Sequence, residues 1–431
     1  MTSPGTANNK KGLLALSPLA VFLLIYLGSS ICADDFYSVP VSAAFLLACI
    51  YAVGVSGGTV RERVKAFSAG AGNVNILMMV WIFILAGAFA GTASAMGAVD
   101  SIVNMALSVM PPSMLLAGMF LISCFISMSI GTSVGTVVAL VPIATGIAAE
   151  CGLSTSYMAA VVLGGAFFGD NLSFISDTTI AATKSMGIEM KEKFHANIRI
   201  VLPAMIAVTV IYLVKGLSVQ AAAGNGDFEL VKVLPYLLVI VMALIGFNAV
   251  LLLSIGIVLN LLVGIICGDM TLIGWLSSIG TGVSGMNELI VVTLLAGGMM
   301  SLVRKNGGID YAIGKLSSNT GGKKGAQFSI AALVCIANLC TANNTIAIIT
   351  VGDISREISA RFGVDPRKAA SILDTISCLT QGVIPYGAQI LMASTLAGCQ
   401  PVEILPYLYY PFLMGVCAIL AIVFGLPRKY A

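Results

Sequence analysis

Charge is what this sequence has least of. Asp, Glu, Lys and Arg make up 10% of its 431 residues, against about 25% in a soluble domain. Histidine is nearly absent: His195 stands alone in a charged stretch, and the ten cysteines form no Cys-x-x-Cys pair and no His–Cys cluster. Zinc chemistry and histidine-based catalysis are therefore not expected. Most cysteines lie inside apolar runs (Cys49, Cys124, Cys335, Cys340, Cys417) and read as small buried hydrophobes. Strand-like alternation is missing as well, which excludes a barrel. No small-residue cleavage site follows the first apolar run, so that run reads as a retained span rather than a removed signal. The net charge of +3 says little about partners.

What is present is apolar length. Hydrophobic residues make up 58% of the chain, mean hydropathy is +1.01, and runs near the bilayer-spanning length of about 20 residues recur throughout. The clearest spans are 13–31, 41–55, 74–96, 198–214, 233–247, 249–267, 287–303 and 405–426, with 270–285 interfacial. Two longer regions, 113–183 and 326–395, are apolar but interrupted by glycine and small polar residues.

The chain repeats itself. Leu85–Asp100 ("LAGAFAGTASAMGAVD") aligns with Leu295–Asp310 ("LAGGMMSLVRKNGGID") at a shift of 210, and a shift of 211 aligns Cys124 with Cys335 and Gly152 with Gly363. Element lengths and break positions carry this duplication, since residue identity is near chance. Charge tests it independently, because cytoplasmic loops collect Lys and Arg. The first half is basic at Arg61–Lys65 and Lys184–Arg199, where its second-half partners carry no basic residue. The second half is basic at Arg304–Lys305, Lys323–Lys324 and Arg356–Lys368, where the first half is not. Equivalent elements thus face opposite sides. The expected fold is an all-α polytopic membrane protein, an inverted-topology repeat with two re-entrant hairpins and two broken helices, as in many secondary transporters. The expected divisions are a cytoplasmic tail 1–12, a first repeat 13–214 (hairpin 113–150, broken helix 157–183) and a second repeat 215–431 (hairpin 326–360, broken helix 369–395). Both termini are expected in the cytoplasm of a prokaryotic plasma membrane.

Backbone polar groups at membrane depth must be paired or must line a wet cavity. Four interruptions raise that question: "GTSVGT" (Gly131–Thr136), "GDNLSFISDTT" (Gly169–Thr179), "TANNT" (Thr341–Thr345) and "TQGVIPYGAQ" (Thr380–Gln389). A broken helix offers carbonyls to a cation and N–H groups to a carboxylate. Three acids fall inside the apolar zone with no Lys or Arg near them in sequence: Asp170, Asp177 and Asp374. A carboxylate there costs roughly 3 kcal/mol on insertion scales, so it stays by binding a proton or a cation, or by hydration. Structural roles compete for each acid. Asp170 can cap a half-helix, Asp177 can be the N-cap of the returning helix, and Asp374 can bond across the bundle. Asp353 and Glu288 read as interfacial acids.

At these residues the chain resembles a family. Gly164–Thr179 ("GGAFFGDNLSFISDTT") is similar to the signature of NhaC-type sodium/proton antiporters, roughly GAYFGDKLSPLSDTT. Gly131–Thr136 resembles that family's GTSWGT hairpin, and Ser371–Gln389 its more variable later segment. The likeness covers about residues 70–395. It implies a member of the ion-transporter group, with inverted repeats and re-entrant hairpins. This chain departs from the pattern at Asn171 (usually Lys), Phe174 (Pro), Val134 (Trp) and Leu373 (Glu).

The expected function is a secondary active transporter that exchanges Na⁺ for H⁺ by alternating access. The alternative is a Na⁺- or H⁺-coupled carrier of a small amino acid or organic acid. Ion binding and coupling are expected at Asp170, Asn171, Ser173, Ser176, Asp177, Thr178, Asp374 and Thr375, with Na⁺ held by Asp177, Ser176 and Thr132. The hairpin tips and cavity are expected from Gly131, Thr132, Ser133, Asn338, Thr341, Asn343, Asn344, Thr380 and Gln381. The absence of a membrane Lys or Arg argues against a dicarboxylate. An intramembrane aspartyl protease is not expected, since neither Gly-Asp pair lies in a GxGD context, and a channel would not explain the duplicated hairpins. No cofactor is expected beyond the transported ions. The expected partners are Na⁺, H⁺, a small organic substrate, lipid and a second copy of the chain, without nucleic acid.

Overall fold

The computed structural model describes residues 9–32, 40–173, 176–219, 228–245, 247–311 and 321–430. Among them the secondary structure is helical throughout. Among the described residues, eight helices are long and apolar enough to cross a membrane, or nine if a bent pair near the C-terminus counts as one span. Large apolar side chains stand exposed along them, including Phe125, Ile206, Leu251 and Ile266. Water would not tolerate such a surface on a monomer, but lipid does.

The first half runs α1 (Asn9–Cys32), α2 (Val41–Val55), α3 (Val60–Ala71), α4 (Val74–Ala95), α5 (Ala98–Val109), α6 (Leu115–Ile130), α7 (Ser133–Glu150), α8 (Thr155–Leu172), α9 (Asp177–Met186) and α10 (Met190–Gly216). The second half follows the same plan: α11 (Leu230–Ile245), α12 (Ala249–Cys267), α13 (Leu272–Gly285), α14 (Asn287–Lys305), α15 (Gly322–Thr341), α16 (Asn344–Phe362), α17 (Pro366–Val383), α18 (Ala388–Ala397) and α19 (Tyr409–Val423). The short stretch Pro401–Tyr407 meets α19 at 56°, so the two together stand where the first half has the single helix α10.

Packing repeats with the sequence. Helix α4 lies on α13 as α14 lies on α3; α9 lies on α16 as α18 lies on α7; α9 meets α17 as α18 meets α8. Left-handed helix ends recur at the same interval: Gly131 (φ 75°) and Ala342 (φ 48°), Gly152 (61°) and Gly363 (68°), Gly187 (69°) and Gly398 (63°) are each 211 positions apart. These residues reverse the chain at matching places in both halves. The α4–α13 seam is set by small residues. A Cβ on Gly91 would stand 2.6 Å from the Ser278 carbonyl, and one on Gly87 would collide with the Gly282 carbonyl. Bilayer helices approach this closely only where side chains are absent.

The hairpins are α6–α7 and α15–α16, and the broken helices are α8–α9 and α17–α18. The breaks are narrower than the polar stretches suggested. Helix α7 already begins at Ser133, α8 continues helical through Gly169–Leu172, and α17 continues to Val383. Of the four departures from the family pattern, Phe174 lies outside the described residues.

Candidate functional site

Both hairpin tips and both helix breaks open on one cavity of about 150 Å³. Six pairs of its lining residues are each related by 211 positions: Thr132 with Asn343, Ser133 with Asn344, Val134 with Thr345, Asp170 with Gln381, Asp177 with Ala388, and Thr178 with Gln389. The cavity therefore sits where the two repeats meet. Met79, Ile82 and Phe83 of α4 close one side of it.

Asp170 lies at the crossing point and is 4% exposed. Its Oδ2 accepts from Ser133 Oγ of the first tip at 2.8 Å and from Asn344 Nδ2 of the second tip at 3.4 Å. Gln389 Nε2 donates to the same Ser133 hydroxyl at 3.0 Å. Gln381 Nε2 donates to Gln389 Oε1 at 2.9 Å and to the Ala342 carbonyl at 3.0 Å. One chain of hydrogen bonds thus joins the tips and both broken helices through a single carboxylate. No Lys or Arg lines the cavity, and among the described residues Asp170 belongs to no ion pair.

Asp177 does not share that burial. It is exposed to the cavity at the first position of α9. The N-cap is its neighbour Ser176, whose Oγ accepts from Thr179 N at 3.2 Å and donates to the Asp170 carbonyl at 2.7 Å. Asp177 is therefore not the N-cap, and its side chain is exposed rather than buried. Of the oxygens expected around Na⁺, Asp177 and Thr132 face the cavity, while Ser176 is spent on the backbone.

The third acid stands in a separate network. Asp374 of α17 is fully buried and forms an ion pair with Lys193 of α10, itself 1% exposed. Lys193 Nζ also donates to Thr179 Oγ1 at 2.7 Å and to the Asn171 carbonyl. Asn197, one helical turn on, donates to Asn171 Oδ1 at 2.7 Å and to the Asn171 carbonyl at 3.1 Å. Its own Oδ1 accepts from Ser371 Oγ and, at 3.0 Å, from Thr375 Oγ1. Asn171 Nδ2 donates to Thr375 Oγ1 at 3.4 Å.

Two expectations change here. A basic residue does stand inside the apolar zone, so the objection to a dicarboxylate loses its premise. Lys193 is not a loop residue; it continues the buried face of α10. Secondly, the α8 carbonyls expected to hold a cation already have partners from the chain. The Asp170 carbonyl takes Ser176 and Thr178, and the Asn171 carbonyl takes Lys193 and Asn197.

The other candidate residues scatter. Asn338 Nδ2 donates to the Ser377 carbonyl at 2.7 Å and ties α15 to α17. Thr341 bonds the Ala337 and Asn343 carbonyls and lines a different cavity. Thr380 bonds the carbonyl one turn back on its own helix. Ser173 is buried at the C-terminal end of α8, Asn343 caps α16, and Gly131 turns the first tip. Sequence reasoning missed Lys193, Asn197, Ser371 and Gln389 as members. A signal for two of them existed: Lys193, Ala196, Asn197, Ile200, Val201 and Ala204 fall on one buried helical face, so the apolar period could have been followed back through the charged segment.

Comparison with known proteins agrees with this architecture. The model of the Na⁺/H⁺ antiporter family matches residues 15–217 and 229–427. The chain is 22% identical over 448 residues to the malate-2H⁺/Na⁺-lactate antiporter of Bacillus subtilis, covering 96% of this chain and 94% of that protein. It is 26% identical over 388 residues to the Na⁺/H⁺ antiporter NhaC of the same organism, covering 82% and 84%. It is 25% identical over 400 residues to the arginine/ornithine antiporter ArcD of Halobacterium salinarum, covering 83% and 79%. A duplicated helical bundle with a polar cavity between its repeats, matched by the family model along nearly its whole length, places this chain in the Na⁺/H⁺ antiporter family as an integral-membrane secondary active transporter.

Proposed function

We propose that Asp170 is the group at which Na⁺ and H⁺ alternate, in an exchanger of the plasma membrane with both termini in the cytoplasm. The observation that carries this is a buried carboxylate held by both hairpin tips and lacking a fixed positive partner among the described residues. Asp374 has Lys193; Asp170 has only neutral donors. A desolvated carboxylate in that position recruits a proton or a metal cation to stay. Thr132 and Asp177 offer further oxygens to a cation in the same cavity. Since each tip donates to the same Oδ2, a proton or Na⁺ arriving there disturbs both hairpins at once, which couples occupancy to opening on either side. The basic segments at Arg61–Lys65 and Arg428–Lys429 support the orientation.

Exchange at one carboxylate moves one H⁺ for each Na⁺ and is electroneutral. Purified protein in liposomes loaded with a pH dye tests this. External Na⁺ should alkalinise the lumen at a rate unaffected by a potassium–valinomycin potential. Asp170→Asn should lower that rate at least about 100-fold, about 2.7 kcal/mol. A variant that keeps half the rate would remove Asp170 from the exchange step.

A further inference from the structure

We propose that the central cavity also takes a zwitterionic α-amino acid with an aliphatic side chain, in competition with Na⁺. Its ammonium lies among Asp170, Asp177 and Gln381, and its carboxylate on the N-termini of α7 and α18. This rests on the reading of Asp170 given above and names a second occupant of that site.

The ammonium end follows from Gln381. Its Nε2 is held by the Ala342 carbonyl, which can only accept, so the orientation of the amide is fixed. The opposite atom, Oε1, is buried without a hydrogen-bond partner, in a residue 1% exposed that lines the cavity. Leaving such an acceptor unpaired costs about 1–3 kcal/mol. Asp170 and Asp177 add two more acceptors. Three acceptors with no cation of their own call for a ligand that carries positive charge and several N–H donors.

The carboxylate end follows from a difference in capping. Four helices begin at this cavity. Ser176 caps α9 and Asn343 caps α16, each accepting a first-turn N–H. Helices α7 and α18 follow Thr132 and Gly387, which make no side-chain cap, and Ser133, Val134, Ala388 and Gln389 line the cavity. Uncapped first-turn N–H groups together with the helix dipole suit a carboxylate. A bare metal ion would use the acceptors and leave these donors idle.

The side chain has a place as well. A second cavity of about 210 Å³ shares Ile82, Gly131, Thr132 and Asp177 with the first. It continues between Phe89, Val138, Leu252 and Leu253, and its walls offer dispersion contacts to an aliphatic group.

The test is thermal stabilisation of the purified, full-length protein in sodium-free buffer by leucine, leucinamide and 4-methylpentanoate. Leucine should raise Tm, and Na⁺ at ten times its own Kd should weaken leucine about tenfold by competition. Leucinamide, lacking the carboxylate, and 4-methylpentanoate, lacking the ammonium, should each bind at least about tenfold more weakly, the loss of one paired ionic end. Equal binding of either analogue overturns the zwitterion. If Na⁺ stabilises and leucine does not, this inference fails and the exchange reading stands; if Na⁺ also has no effect, that reading fails too. Leu252→Trp fills the apolar end of the second cavity, which Asp177 also lines. It should favour alanine over leucine as the stabilising ligand, and an unchanged preference would overturn the placement of the side chain.

Discussion

At the break after α8 the cavity meets Asp170, Asp177 and a helix capped by Ser176. At the matching positions of the break after α17 it meets Gln381, Ala388 and a helix begun by Gly387 with no side-chain cap. The backbone plan is common to both, but the side-chain chemistry is not. The first break has its freed carbonyls closed by Ser176, Thr178, Lys193 and Asn197. At the second break Gln381 Oε1 is instead buried without a hydrogen-bond partner. Buried polar groups that are fully paired rigidify their surroundings. The comparison thus assigns a fixed, acidic wall to the first repeat and a neutral, adaptable wall to the second. Position 193 makes the same point, because 211 residues further on stands Ile404, which has no charge to offer.

The sharpest way to break this contrast is to remove the acid that anchors the fixed wall. Asp374→Leu leaves the Lys193 ammonium buried and unpaired, which should cost about 3–5 kcal/mol. The double variant Asp374→Leu with Lys193→Met should recover most of that loss. Chemical unfolding in detergent checks both, and a single variant costing under about 1 kcal/mol would mean the pair is solvated. Next in size is the ligand effect. Wild type should gain about 2.7 kcal/mol when Na⁺ is raised to 100 times its Kd, and Asp170→Asn should gain none while unfolding normally without Na⁺. The smallest effect concerns the second tip. Among the described residues, Ala342 is the one non-glycine at positive φ, where the first tip has Gly131. Left-handed backbone costs an L-residue roughly 1–2 kcal/mol, so Ala342→Gly should raise stability by up to about 1 kcal/mol after its added chain entropy. A loss of stability would mean the methyl group packs better than the backbone suffers.

Much of the fold could be read from local chemistry. Span 249–267 is α12 residue for residue, and 41–55 is α2, because each is a predominantly apolar run with polar or turn-forming ends. Tips and breaks announced themselves through glycine, asparagine and threonine in lipid-soluble surroundings. The interval of 211 residues, read on weak identity, reappears in the six pairs that line the cavity. What escaped was contact between distant segments. Lys193 sits among Lys191, Glu192 and His195, which makes a stretch look like a loop, and only tertiary packing shows which of these charges turns inward. Asp177 failed in the opposite direction. Its apolar neighbours suggested burial, yet whether an acid at the start of a half-helix faces lipid, protein or a water-filled gap depends on the hairpin opposite.

One consequence follows from Asp170 and Gln381 occupying equivalent positions. In an assembly of two identical subunits, any residue at this place appears twice across the axis. An acid there would face its own copy, and like charges at close range suppress each other's ionisation. An amide in both places would leave no group able to trade a proton for a metal. Linking the halves into one polypeptide lifts that restriction. A single substitution then alters one side of the axis only, and charge and neutrality can sit face to face in a chamber whose walls keep the same backbone plan.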